Sequence, residues 1–127
     1  MRLKVLAPAE TIVDEEVKKV GAEGADGSFT LLPRHVDFVT ALVPGILSFV
    51  AENGTERMLA VDRGILVKHA DEVLVSTAGA HEGPELGSLR EIVIELEDAA
   101  QERDRAARSA LTRLEINIVR RFIELGQ

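Results

Sequence analysis

From Ser88 to Leu125 the chain holds neither proline nor glycine, and this uninterrupted run constrains the fold more than any other stretch. Within it Leu89, Val93, Leu96, Ala100, Ala107, Leu111, Leu114, Ile118, Phe122 and Leu125 recur at three- and four-residue steps, laying one apolar stripe along a helix. Ser88-Leu89-Arg90-Glu91 reads as a capping box at its start. A continuous helix over 88–125 would be roughly 57 Å long at about 1.5 Å per residue, longer than a small domain is wide. Its apolar face must then fold back on itself or lie along a partner. The polar run Gln101-Glu102-Arg103-Asp104-Arg105 interrupts the stripe and is the natural reversal point, without Gly or Pro to make the turn. The tail is therefore a helical hairpin or one long helix.

Charge is unevenly spread along this tail. Residues 88–102 set Arg90 against five acids, a net of −4, whereas 103–127 set six arginines against three acids, a net of +3. One reading is helix-dipole matching, but that effect is confined to the terminal turns. The other is a hairpin whose basic arm, carrying Arg103, Arg105, Arg108, Arg113, Arg120 and Arg121, faces the acidic arm or engages an acidic surface elsewhere. All its cations are arginine, which suits planar, multidentate pairing with carboxylates.

Ahead of Gly83-Pro84-Glu85 the pattern is that of strands. Arg2–Ala7 alternates with a period of two and stops at Pro8, and Val17 and Val20 lie in a second extended stretch. Gly21, Gly24 and Gly27 punctuate a turn-rich segment before Phe29-Thr30-Leu31-Leu32. Asn53-Gly54 between 45–50 and 57–61 predicts a hairpin, since both residues tolerate positive φ. Ile65-Leu66-Val67 and Val73-Leu74-Val75 form another pair around Ala70-Asp71. Short strands with frequent turns suggest a sandwich or barrel. The expected organisation is β + α, a β domain over 1–85 followed by a helical domain over 86–127. With only four Phe and no Trp or Tyr, the core must be aliphatic.

Several chemistries are excluded or disfavoured. Without cysteine there are no disulfides or thiolate metal sites. A net charge of −7 argues against nucleic acid and against anionic lipid. No apolar run approaches the roughly 20 residues of a membrane span, and the N-terminus lacks a signal-like stretch, so no direct membrane insertion is expected. There is no phosphate-binding G-x-x-x-x-G-K-[ST] loop. Gly21–Gly27 has acids where phosphate would sit and reads as a set of tight turns. His35, His69 and His81 are far apart and have no ligand-like partner, the five serines lack a G-x-S-x-G context, and Glu15-Glu16 reads as a solvated pair. No catalytic, metal or cofactor site is expected, which favours a binding or regulatory protein over a small enzyme using a β-barrel cleft. A free-standing β module that homodimerises through a coiled-coil tail is the alternative.

The segment from Gly24 to Gly45 carries a more specific signal: Gly24-Ala25-Asp26-Gly27-Ser28-Phe29-Thr30-Leu31-Leu32-Pro33-Arg34-His35, then Thr40-Ala41-Leu42-Val43-Pro44-Gly45. With Val61–Val67 and Glu72–Ser76 behind it, and a helical tail after the strands, the chain resembles the epsilon subunits of F-type ATP synthases and ATPases. Arg34 stands where many members have Gly before the His, and Thr30 where many have Gly before the Leu-Leu pair. The tail lacks the I/L-D-x-x-R-A motif of ATP-binding epsilons, so that activity is not carried over. With the ending Val119-Arg120-Arg121-Phe122 it looks more like the divergent N-ATPase branch, whose complexes are thought to move sodium ions. The resemblance implies a non-catalytic β-sandwich wedged between a gamma subunit and a c-ring, on the cytoplasmic face of a bacterial inner membrane. It implies a ring-facing loop contributed by Asp26, Gly27, Ser28, Arg34 and His35. It also implies a regulatory tail whose arginines meet acidic segments of the alpha/beta head and resist hydrolysis.

Overall fold

The computed structural model describes residues 1–126. Its strands are β1 (Arg2–Ala7), β2 (Glu10–Gly24), β3 (Gly27–Leu31), β4 (Phe38–Leu42), β5 (Gly45–Ala51), β6 (Glu56–Val61), β7 (Gly64–His69), β8 (Glu72–Thr77) and β9 (Ala80–Glu82), followed by one helix, α1 (Leu86–Leu125). Hydrogen bonding runs β1-β8-β7-β4-β2-β5-β6-β9, with β3 beside β2 and a further β1–β2 ladder. All pairs are antiparallel except β1 with β8, which run parallel from Arg2↔Glu72 to Leu6↔Ser76.

Strand β2 belongs to both layers of this sandwich. Its first half pairs with β1 from Glu10↔Ala7 to Glu16↔Arg2, its second half with β3 and β5, and Gly24 bridges Leu42 of β4. The inward positions of the two layers meet in one aliphatic core. Leu3, Val5, Leu42, Leu66, Val73 and Val75 come from the β1-β8-β7-β4 layer; Val17, Val20, Leu31, Leu47, Phe49 and Leu59 come from the other. Strand β6 is buried at three successive positions, Leu59, Ala60 and Val61, because both its faces are covered. Leu59 and Val61 face the sandwich core, while Ala60 packs with Ile46 and Met58 against Leu89, Ile92 and Val93 of α1.

Most turns follow the sequence, with instructive differences. Gly21 and Gly24 lie inside β2 rather than in turns, and the predicted set of turns reduces to one, Ala25-Asp26. At Asn53-Gly54 only Gly54 has positive φ (87°). Gly54 N–H donates to Ala51 O at 2.9 Å and Ala51 N–H to Thr55 O at 2.9 Å. This is a three-residue loop, in which Asn53 Oδ1 accepts from Thr55 N–H at 3.0 Å. Of the Glu15-Glu16 pair, Glu16 is exposed, whereas Glu15 is half-buried and bonded to Arg57 at 2.7 Å.

The chain forms two compact units, Met1–Leu96 and Glu97–Gln127. The first takes in the opening turns of α1, where Leu89 and Val93 are buried. In the second, α1 continues without a reversal through 101–105. The polar run there supports the helix: Arg105 pairs with Glu102 at 3.3 Å and Arg108 with Asp104 at 3.7 Å, one turn apart. The hairpin alternative is thereby replaced by a single long helix. The capping box also differs, because the helix starts at Leu86 and Leu89 N–H donates to Glu85 O at 3.2 Å, which leaves Ser88 inside the first turn.

Candidate functional site

The ring-facing residues implied by the resemblance fall in two groups. Asp26, Gly27 and Ser28 are exposed at the β2–β3 turn, which is tied to β4 by Ala25 N–H donating to Ala41 O at 3.1 Å. Arg34 and His35 are exposed in the Leu32–Asp37 loop that enters β4 at Phe38. Ala41 and Phe38 are three residues apart on an extended strand, roughly 10 Å at about 3.3 Å per residue. The two groups therefore sit toward opposite ends of β4.

The Leu32–Asp37 loop is tightly organised. His35 N–H donates to Leu32 O at 2.9 Å, closing a turn with Pro33 at its second position, where a fixed φ suits the turn. The His35 ring meets Phe38 edge-on at 5.7 Å, and Phe38 meets Phe29 edge-on at 5.2 Å. Across the loop lies the β7–β8 turn. Asp37 Oδ1 accepts from Ala70 N–H at 2.9 Å, and Asp37 Oδ2 lies 3.0 Å from His69 Nδ1. The Ala70 amide, then His69, hold the Asp37 carboxyl below its ordinary value. Lys68, 1% exposed, donates from Nζ to His35 O at 3.1 Å and to Ala70 O. His35 and His69, distant in sequence, are thus linked to one corner through Lys68 and Asp37. Among the described residues no three His, Cys, Asp or Glu side chains gather as a metal set.

A second surface escaped the sequence reading. Register places Val39, Val67 and Leu74 side by side on the outer face of β4-β7-β8, with Ala41 beside Ile65 in the next row. Val39 is 68% exposed, Ile65 54% and Leu74 40%, and Val36 at the loop adds 75%. The signal was present in the two apolar triplets, 65–67 and 73–75. A half-solvated strand alternates with polar residues, so triplets apolar at every position signal an outer face that is apolar as well as the inner one.

The tail arginines Arg103, Arg105, Arg108, Arg113, Arg120 and Arg121 are all exposed on α1. Only Arg105 and Arg108 make ion pairs among the described residues. The last turns also carry more apolar surface than one stripe. Leu111, Leu114, Ile118, Phe122 and Leu125 share one face. Ile116, Val119 and Ile123 form a second, roughly 140° round the helix at about 100° per residue, where they line a shallow groove with Glu115 and Arg120. A helix apolar on several sides is suited to enclosure in a larger assembly.

Against this geometry, residues 1–83 match the family model described as ATP synthase, Delta/Epsilon chain, beta-sandwich domain. An ATP synthase epsilon chain of Campylobacter hominis is 36% identical over 70 residues, 55% of this chain and 54% of that one. ATP synthase epsilon chain 2 of Cereibacter sphaeroides is 32% identical over 122 residues, 94% of this chain and 84% of that one. Among solved structures, a chain in the Euglena gracilis mitochondrial ATP synthase (OSCP/F1/c-ring) superposes with a TM-score of 0.62 at 19% identity, over 80% of this chain and 79% of that one, a likeness of fold. A sandwich and helix in this order, matched nearly end to end by a named epsilon chain, place this chain in the ATP synthase epsilon family.

Proposed function

We propose that this chain is the non-catalytic central-stalk subunit of a rotary, ion-translocating ATPase, joining a gamma subunit to the c-ring and restraining ATP hydrolysis through α1. The observation that carries the reading is the unburied tail. Eight large apolar side chains between Leu111 and Leu125 are 46–84% exposed, surface that calls for a protein neighbour. The apolar outer face of β4-β7-β8 supplies a second contact area suited to gamma, and the turns bearing Asp26, Gly27, Ser28, Arg34 and His35 supply the contact to the ring. The exposed tail arginines suit carboxylates of the alpha/beta head.

No described helix is long and apolar enough to cross a membrane, so attachment to the cytoplasmic face of a bacterial inner membrane would come through these partners. The Arg34 and Thr30 departures, the missing I/L-D-x-x-R-A motif and the ending Val119-Arg120-Arg121-Phe122 favour the N-ATPase branch, with a proton or sodium as the coupled ion. Co-expression with gamma and c subunits is the direct test, with a complex of all three expected on purification. A monomer that ignores both, or a stable homodimer by light scattering, would overturn the reading.

A further inference from the structure

The corner shared by the Leu32–Asp37 loop and the β7–β8 turn contains a group that fold stability does not explain. Lys68 follows the inward phase set by Leu66, and its side chain is almost wholly buried. A buried ammonium is costly unless its donors are used, and a well-packed apolar side chain of similar volume is often at least as stabilising. Among the described residues the acceptors of Lys68 Nζ are two backbone carbonyls, His35 O in the loop and Ala70 O in the turn. Asp37 reaches back from the loop to the same turn, accepting from Ala70 N–H. Ala70 has a φ of 50°, a left-handed conformation that an alanine adopts only when its surroundings impose it. Its N–H and its C=O are each taken by one member of the pair.

We propose that Lys68 and Asp37 are a reciprocal latch, positioning residues that lock the Leu32–Asp37 loop onto the β7–β8 turn and present Arg34 and His35 in one conformation. Lys68 reaches from the end of β7 to both the loop and the turn, and Asp37 crosses from the loop to the turn. The two links close a ring around Ala70, so neither segment can shift without breaking a side-chain bond. The latch's effect on assembly rests on the functional reading above, since the loop is the contact assigned there to the c-ring. Preorganisation strengthens binding by removing the ordering cost of the loop.

The test is hydrogen exchange at amides 34–37 in the full chain, alongside urea unfolding and binding to a detergent-solubilised gamma–c-ring complex from the same cells. Lys68→Met should leave the urea midpoint unchanged or raised, speed loop exchange at least about tenfold, and weaken binding by a similar factor. Asp37→Ala should loosen the loop likewise, while Asp37→Asn, which keeps an acceptor for Ala70 N–H, should be milder. Should Lys68→Met fail to fold, the exposed Asp37→Ala site reads the same latch. Unchanged loop exchange in these variants overturns the latch. A loosened loop with undiminished binding leaves the latch standing and overturns the loop's role as a ring contact.

Discussion

Arg57 grips Glu82 with two nitrogens, Nε donating to Oε1 at 2.6 Å and Nη2 to Oε2 at 2.9 Å. Its remaining nitrogen, Nη1, donates to Glu15 Oε2 at 2.7 Å, and the guanidinium lies 5.0 Å over the Phe49 ring. One side chain on β6 thus fastens β2 and β9. The two carboxylates, Glu82 foremost, raise the Arg57 pKa above its ordinary value. Arg57→Met should lower stability by about 1–2 kcal/mol, discounted for partial exposure of the three groups. Urea unfolding followed by circular dichroism reads this directly, and an unchanged midpoint would refute it.

Acid should weaken the same fastening. The hydrogen bond from Arg57 holds the Glu82 carboxyl below its ordinary value of 4.5. The Ala70 amide holds Asp37 below 3.8. Both folded-state values are depressed, so their stabilisation is present above the ordinary values and is lost as pH falls through the folded ones. Unfolding midpoints should drop between about pH 5 and pH 3, and Glu82→Gln should make that drop shallower.

The boundary of the first compact unit predicts where the chain tolerates truncation. Ending at Leu96 keeps Leu89 and Val93 over Ala60 and should preserve cooperative unfolding of the sandwich. Ending at Glu85 removes both side chains and should cost about 3 kcal/mol, since each buried aliphatic contributes about 1.5–3 kcal/mol. Equal stability of the two truncations would show that the opening turns of α1 add nothing.

Much of this organisation was legible in the chain. Alternation in Arg2–Ala7 and the turns at Ala70-Asp71 and Asn53-Gly54 located strands, because such signals are local. The parallel β1–β8 ladder was not legible, since residues some seventy positions apart pair only through packing of the whole core. Lys68 illustrates a conflict between two signals. The period-two phase from Leu66 points it inward, while its charge suggests solvent, and phase prevails because two backbone carbonyls await it. Gly24 read as a turn residue because glycine usually punctuates, yet it sits in β2 opposite Gly27. The helical stripe follows one period in the sequence, whereas the second face, Ile116, Val119 and Ile123, lies roughly 140° round the helix from that stripe.

Two glycines should respond differently to one methyl group. A Cβ at Gly64 would strike the Ser76 carbonyl oxygen and lie 2.9 Å from Thr77 Cα, backbone that cannot move without disturbing the β7–β8 ladder. At Gly45 the methyl would meet the Glu23 side chain, whose exposed carboxylate end can swing away while its Cβ, 3.0 Å off, yields by a few tenths of an ångström. Gly64→Ala should therefore cost about 2–3 kcal/mol and Gly45→Ala under about 1 kcal/mol. Comparable losses in urea denaturation would contradict the distinction.

For the tail, reversing charge at Arg105, Arg108 and Arg113 to Glu should raise ATP hydrolysis by the assembled complex several-fold while leaving assembly intact. Steady-state ATPase assays on the purified complex measure this. Unaltered turnover would remove the braking role and keep the structural one.

Strand β2 has a mechanical corollary. Because one covalent backbone is laced into both layers, sliding one layer past the other would shear ladders on both margins of that strand at once. If the β2–β3 turn meets the ring as proposed, load entering there would pass along the β2 backbone into both layers. A sandwich laced in this way should resist shear between its layers, which suits the rotating role proposed above.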